Sequence, residues 1–222
     1  MKVRELFERA QHPNHVNFAR AKLSELKSSL WMHDLSVEQI KRALNHAFEK
    51  LMVRFVVVPS GGNSAYARAG LGGAEYSHDG WVTVEITDDI NDVLNGDYAA
   101  EYEDFASLCA ASIGHELTHR EQALKHPGNM DNVTSPNKLR DYLSDHREIE
   151  SFAVQTSLEL LAAFDARTLV SKLSRGSDLE HLAKFSDCLG MYLTHFEPQS
   201  PTIRKLLKKL HVILADEAAQ DD

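Results

Sequence analysis

Apolar residues recur at three- and four-residue steps along most of this chain, and the few stretches that break the rhythm carry glycine, proline or β-branched runs. Val16, Ala19, Leu23, Leu26 and Leu30 predict an amphipathic helix over about 15–30. A second helix starts at Ser36, where Ser-Val-Glu-Gln reads as a capping box, and Ile40, Ala43, Leu44, Ala47, Phe48 and Leu51 form its core stripe. Arg54 to Val58 is a β-branched run stopped by Pro59, hence a strand. The glycine-rich stretch 59–73 reads as loop or irregular hairpin, and no GK[ST] follows it to make a phosphate loop. Trp81 to Thr87 alternates apolar with polar residues, which predicts a half-buried strand with one solvated face. Asp88 is the expected N-cap of a short helix ending near Asn95-Gly96.

A long helix is then predicted over about 99–125, stopped by His126-Pro127-Gly128, with a loop over 127–137. Another long helix is expected over about 137–164, and a small one to about 173. The Ser-Asp-Leu-Glu box at 177–180 should open a helix with Leu182, Phe185, Leu189 and Tyr192 on one face. Ser200-Pro201 begins the last, with Ile203, Leu206, Leu207, Leu210 and Leu214 inward and a frayed acidic tail. Two or three strands among many helices define an α+β chain that is mostly α.

Composition adds limits rather than detail. The chain has 222 residues, 43% hydrophobic and 26% charged, which excludes wholesale disorder. No apolar run approaches the roughly 20 residues that span a bilayer, and the N-terminus lacks the features of a signal peptide. With two cysteines, Cys109 and Cys188, each inside a helical pattern, no disulfide framework is expected, and the compartment expected is cytoplasmic. A formal net charge of −9 argues against a general nucleic-acid binder, since phosphate contacts need a basic field. The basic cluster of Arg204, Lys205, Lys208 and Lys209 has helical spacing and reads as a solvated helix face.

Candidate chemistry concentrates in one segment, Gly114-His115-Glu116-Leu117-Thr118-His119, an HExxH motif. Residues four apart on a helix lie about 40° apart around its axis, so both rings can reach one metal ion from the same side. Glu116 sits one step round, where its carboxylate can take a proton from a metal-activated water without ligating the ion. Ala106, Ala110, Ile113 and Leu117 give the same helix an apolar side that anchors the motif. Catalytic zinc takes three protein ligands and an open position. A third histidine six residues beyond the motif is absent, position 125 being Lys. The remaining candidates are Glu148 and Glu150 on the next long helix; about 200° apart on that helix, at most one of them faces the ion.

HExxH on one helix followed by a glutamate on another resembles the gluzincin branch of the zincin metallopeptidases. A nearer similarity is to short intracellular HExxH proteins of phages and mobile elements, in which a Tyr and a segment such as EIEAxA follow the motif; here Tyr142 and Glu148-Ile149-Glu150-Ser151-Phe152-Ala153 follow it. The similarity covers about residues 50–165, and Arg120 departs from the zincin consensus, which has an uncharged residue there. The resemblance implies a zincin-like domain over 1–165, with N-terminal helices over 1–52, a small mixed or antiparallel sheet and loops over 53–98, and metal helices over 99–165. A C-terminal helical extension, 166–222, would pack on it. It implies Zn2+ held by His115, His119 and Glu148, with Glu148 preferred to Glu150. Glu116 would be the general base, and Tyr142 and His146 are the candidates for the group that stabilises the oxyanion.

The expected function is therefore zinc-dependent hydrolysis of a peptide bond in one specific intracellular protein, with a protein or peptide substrate docking by strand addition on Trp81–Thr87, taken as an edge. The alternative is a catalytically silent, phage-type zincin-fold protein that binds or inhibits a host partner; a zinc hydrolase acting on a non-peptide amide is a third class. Neither a nucleic acid nor a membrane is an expected partner.

Overall fold

The computed structural model describes residues 12–31, 34–61, 69–77, 79–95, 99–125, 139–175 and 178–220. The helix-stop at 126–128 and the loop 127–137 lie outside them, as does Ser177 of the expected capping box. The described elements make an α+β chain, mostly helical, with one three-stranded mixed sheet. They fall into two compact units, His15–Leu117 and one made mainly of Thr118–Asp222. The division falls between Leu117 and Thr118.

In the first unit, α1 (His12–Leu30) buries Ala19, Leu23 and Leu30, as its periodicity requires. The capping box forms at α2 (Val37–Phe48): Ser36 Oγ accepts from Gln39 N–H, and Gln39 Oε1 accepts from Ser36 N–H at 2.9 Å. Ile40, Leu44 and Phe48 point into the core. The sheet consists of β1 (Val53–Val58), β2 (Leu71–Tyr76) and β3 (Val82–Thr87) in the order β1-β3-β2. β1 runs parallel to β3, with Val53 beside Val82, and β2 runs antiparallel to it, with Tyr76 beside Val82.

Two expectations fail here. β3 is the central strand, not an edge, and its alternation does not mark a solvated face: Thr83 and Thr87 are buried with Val82, Val84 and Ile86. The Thr83 hydroxyl is satisfied by Arg54, whose Nε donates to it at 2.9 Å, so a polar position can be covered without loss. The edges are β1 and β2, and β2 draws its first residues from the glycine-rich stretch expected to be loop. Gly72 has to be glycine because a Cβ there would stand 2.7 Å from Val58 Cγ2. A bulge between Leu71 and Gly73 accompanies it. The short helix α3 (Ile90–Leu94) begins after Asp89; Asp88 instead accepts a hydrogen bond from Ser60 N–H at 2.7 Å, joining the ends of two loops. Helix α4 (Ala99–Lys125) keeps its expected bounds and sends Ala110, Ile113 and Leu117 into the same core as the sheet.

In the second unit the long helix expected over 137–164 is two helices, α5 (Leu139–Ser144) and α6 (His146–Leu161). Asp145 makes the break. Its backbone is extended and its side chain caps α6 by accepting from Arg147 N–H at 2.8 Å. The helix expected over 177–192 is likewise split, into α8 (Leu179–Leu182) and α9 (Asp187–His195), because Ser186 caps α9 through Leu189 N–H. Phe185, in the gap, is 43% exposed rather than core. Between these pairs lies α7 (Ala166–Arg175), and α10 (Pro201–Gln220) closes the unit, still helical through most of the acidic tail. α10 packs on α6 and α7, burying Ile203, Leu206, Leu210 and Leu214. Residues 148–160 of α6 are buried almost all round, so this helix is the axis of its unit. Cys109 and Cys188 are buried free thiols.

Candidate metal centre

The middle of α4 presents His115 and His119 one turn apart, both largely shielded from solvent. Glu148 lies in the first turn of α6 and is 2% exposed. One ligand atom from each of these three residues lies within 4.8 Å of the other two. His119 Nε2 and Glu148 Oε2 are 3.4 Å apart. Two ligands of a tetrahedral zinc with bonds of about 2.0–2.1 Å stand about 3.3–3.4 Å from each other, so that pair is already at ligand spacing. Two imidazoles and one carboxylate are also the donor set of catalytic zinc sites. The residues present fit the ion.

Glu116 is one step round the helix, with Oε1 4.0 Å from His115 Nε2. Its other oxygen, Oε2, accepts a hydrogen bond from Tyr76 N–H at 2.8 Å. Strand register explains that bond. Ser77 N–H donates to Trp81 O, so Ser77 faces β3 and its neighbour Tyr76 turns its N–H to the open edge of β2. The edge strand therefore holds the motif glutamate by its backbone.

His119 turns its second nitrogen, Nδ1, toward Gln122 Oε1 at 3.1 Å and Ser151 Oγ at 3.4 Å. Ser151, three residues after Glu148, is fully buried, and its small side chain permits this approach. Glu150 is engaged elsewhere: Oε2 accepts from Gln122 Nε2 at 3.1 Å and Oε1 pairs with Lys209 Nζ at 2.8 Å. The geometry thus brings Glu148, not Glu150, to the histidines.

The two expected oxyanion groups lie on α5 and at the first residue of α6. Tyr142 is half-buried and packs edge-on against Phe152, with centroids 6.0 Å apart, in an aromatic row continued by Tyr192. His146 has 81% of its side chain exposed, with Nδ1 3.6 Å from Asp145 Oδ1. Arg120, the departure from the consensus, is buried at 3% exposure. Gln122 and Tyr76 were not found by sequence reasoning. Gln122 follows His119 by three positions, a helical neighbour that its residue type alone does not mark, and Tyr76 acts through its main chain. No protein-family model, curated protein or solved structure matches this chain. No described helix is long and apolar enough to cross a membrane.

Proposed function

We propose that the chain is a zinc-dependent peptidase of zincin type, with His115, His119 and Glu148 as ligands and Glu116 as general base. The observation that carries this reading is the buried His-His-Glu group with a second carboxylate, that of Glu116, beside it. When bound, zinc supplies Lewis-acid polarisation of a water and of the scissile carbonyl. The remaining work belongs to the chain. Tyr76 N–H holds Oε2 of Glu116, which leaves Oε1 on the side of His115 to take the proton of the attacking water. The same carboxyl then delivers that proton to the leaving amine. An extended peptide adds to the open edge of β2, where the Ala74 backbone faces outward as that of Tyr76 does. The edge strand that supports this docking is β2, in place of Trp81–Thr87. Tyr142 and His146 enter as candidate oxyanion donors, with Tyr142 better sheltered for the role.

The test has two arms. Metal analysis of fresh protein should find one zinc per chain, lost in His115→Ala and His119→Ala; no uptake at micromolar zinc would refute the site. Peptide-library cleavage read by mass spectrometry should show activity in wild type and none in Glu116→Gln. If neither protein cleaves but both hold zinc and bind a protein target equally, the silent binding protein replaces the peptidase.

A further inference from the structure

A neutral imidazole that ligates a metal through one nitrogen carries its proton on the other, and whatever accepts that proton sets the ring's tautomer and aim. Around His119 the chain supplies such an acceptor, and its orientation is fixed by chemistry on its far side. The Gln122 amide nitrogen faces two acceptors, Arg147 O at 3.1 Å and Glu150 Oε2 at 3.1 Å. Flipping the amide would set its oxygen against both of them, so Nε2 stays there and Oε1 must face His119 Nδ1, 3.1 Å away. An oxygen at that distance accepts, so Nδ1 carries a proton, and Nε2, on the side of Glu148, is the nitrogen left to give its lone pair to an ion. Ser151 Oγ stands farther from Nδ1 and donates to Arg147 O, so it too can only accept from the ring. Glu150 is itself anchored by Lys209 of α10.

We propose that Gln122 is the positioning residue of the centre, fixing the proton of His119 on Nδ1 and thereby presenting Nε2 beside Glu148, with Glu150 acting through Gln122 to hold the amide in place. This deepens the zinc-site reading and rests on it for its consequence, the affinity for the ion. It also gives Glu150 a role that is not ligation.

The experiment reads the two layers separately. In metal-free protein, long-range 1H–15N correlation of the histidine rings should show a proton on His119 Nδ1. Gln122→Leu should shift it toward the Nε2-protonated form that an unconstrained imidazole prefers, leaving the His115 pattern unchanged. Zinc affinity, measured against a competing chelator, should fall by about 10–100-fold in Gln122→Leu, the usual effect of losing such a partner. Glu150→Ala should give a smaller loss, and that loss should vanish in the Gln122→Leu background, since both act through one amide. If Gln122→Leu does not fold, Glu150→Ala carries the test, with a partial movement of the His119 proton. An unchanged His119 tautomer in a folded variant, or losses that simply add, overturns the proposal. Failure of the wild type to bind zinc refutes the metal reading instead, while the tautomer in metal-free protein still decides the role of Gln122.

Discussion

Glu116 is held on one oxygen by Tyr76 N–H and approaches His115 with the other, so its two oxygens have different neighbours. Glu116→Gln keeps the size of the side chain and can still accept from Tyr76 N–H, but it cannot take a proton. Fold and zinc content should therefore survive, while hydrolysis falls by about 10²–10⁴-fold, the usual worth of a general base. Zinc analysis alongside the cleavage rate checks it: loss of zinc in this variant would mean that Glu116 is a ligand. Glu148→Ala should do the opposite and lower zinc affinity first, because it removes the only anionic member of the three. At this scale the sequence was readable where chemistry is carried by residue type. His115, Glu116 and His119 are recognisable from spacing alone, and His115 and His119 come within ligand distance of Glu148. Tyr76 and Gln122 were not, since a main-chain N–H has no signature and a helical glutamine usually means solvent.

At the scale of elements, periodicity found the helices and misjudged their joints. α4 came out with its expected bounds, whereas the segment 137–164 is broken at Asp145 and the segment after Gly176 at Ser186. Apolar spacing continues across both breaks, so only the cap chemistry marks them, and a single Asp or Ser inside a helical pattern is equally common on a solvated face. The break at Asp145 matters for the site because it puts Glu148 in the first turn of α6. Arg147 holds the Asp145 carboxyl below its usual range by hydrogen bonding and charge, which marks the cap as formed with an ionised carboxylate. That depressed value stabilises the fold above the ordinary Asp range and is lost as pH falls through it. Asp145→Ala should cost about 1 kcal/mol of stability, typical of a lost cap, and should weaken zinc binding by loosening the turn that bears Glu148. Urea unfolding with and without zinc measures both. The sheet gives the converse case: a strand that begins Leu-Gly-Gly looks like loop until the close approach at Gly72 shows why glycine stands there.

At the scale of the molecule, two buried groups among the described residues add to the response of stability to conditions. Glu159 is buried at 6% exposure and accepts hydrogen bonds from Ser186 Oγ at 2.6 Å, Cys188 N–H at 3.2 Å and Gln155 Nε2 at 3.2 Å. Burial is the dominant influence and pushes its carboxyl above the ordinary range despite those donors. A raised value in the folded state means that the unfolded chain gives up this proton first. The contribution of Glu159 is thus most favourable below the ordinary Glu range and is lost as pH rises through the raised value. Glu159→Gln, which cannot ionise, should gain on the wild type in thermal stability as pH increases, with little gain in mild acid. A constant difference across that range would show that Glu159 does not titrate differently in the two states.

The second is the proposed metal group, whose effect on stability would follow from mass action. A ligand that binds only the folded chain stabilises it by RT ln(1 + [L]/Kd), about 2.7 kcal/mol at a hundredfold excess over Kd. Near Tm, a chain of this length shifts by about 2–4 °C per kcal/mol, so zinc should raise Tm by about 5–11 °C and chelation should reverse the rise. The shift should be absent in Glu148→Ala and His119→Ala, reduced in Gln122→Leu at the same zinc concentration, and preserved in Glu116→Gln. Scanning calorimetry of the five proteins with and without zinc gives that ranking directly. A rise in Glu148→Ala equal to that of the wild type would place the ion on other residues, and an unchanged Tm in the wild type would mean that the buried His-His-Glu group is not a zinc site.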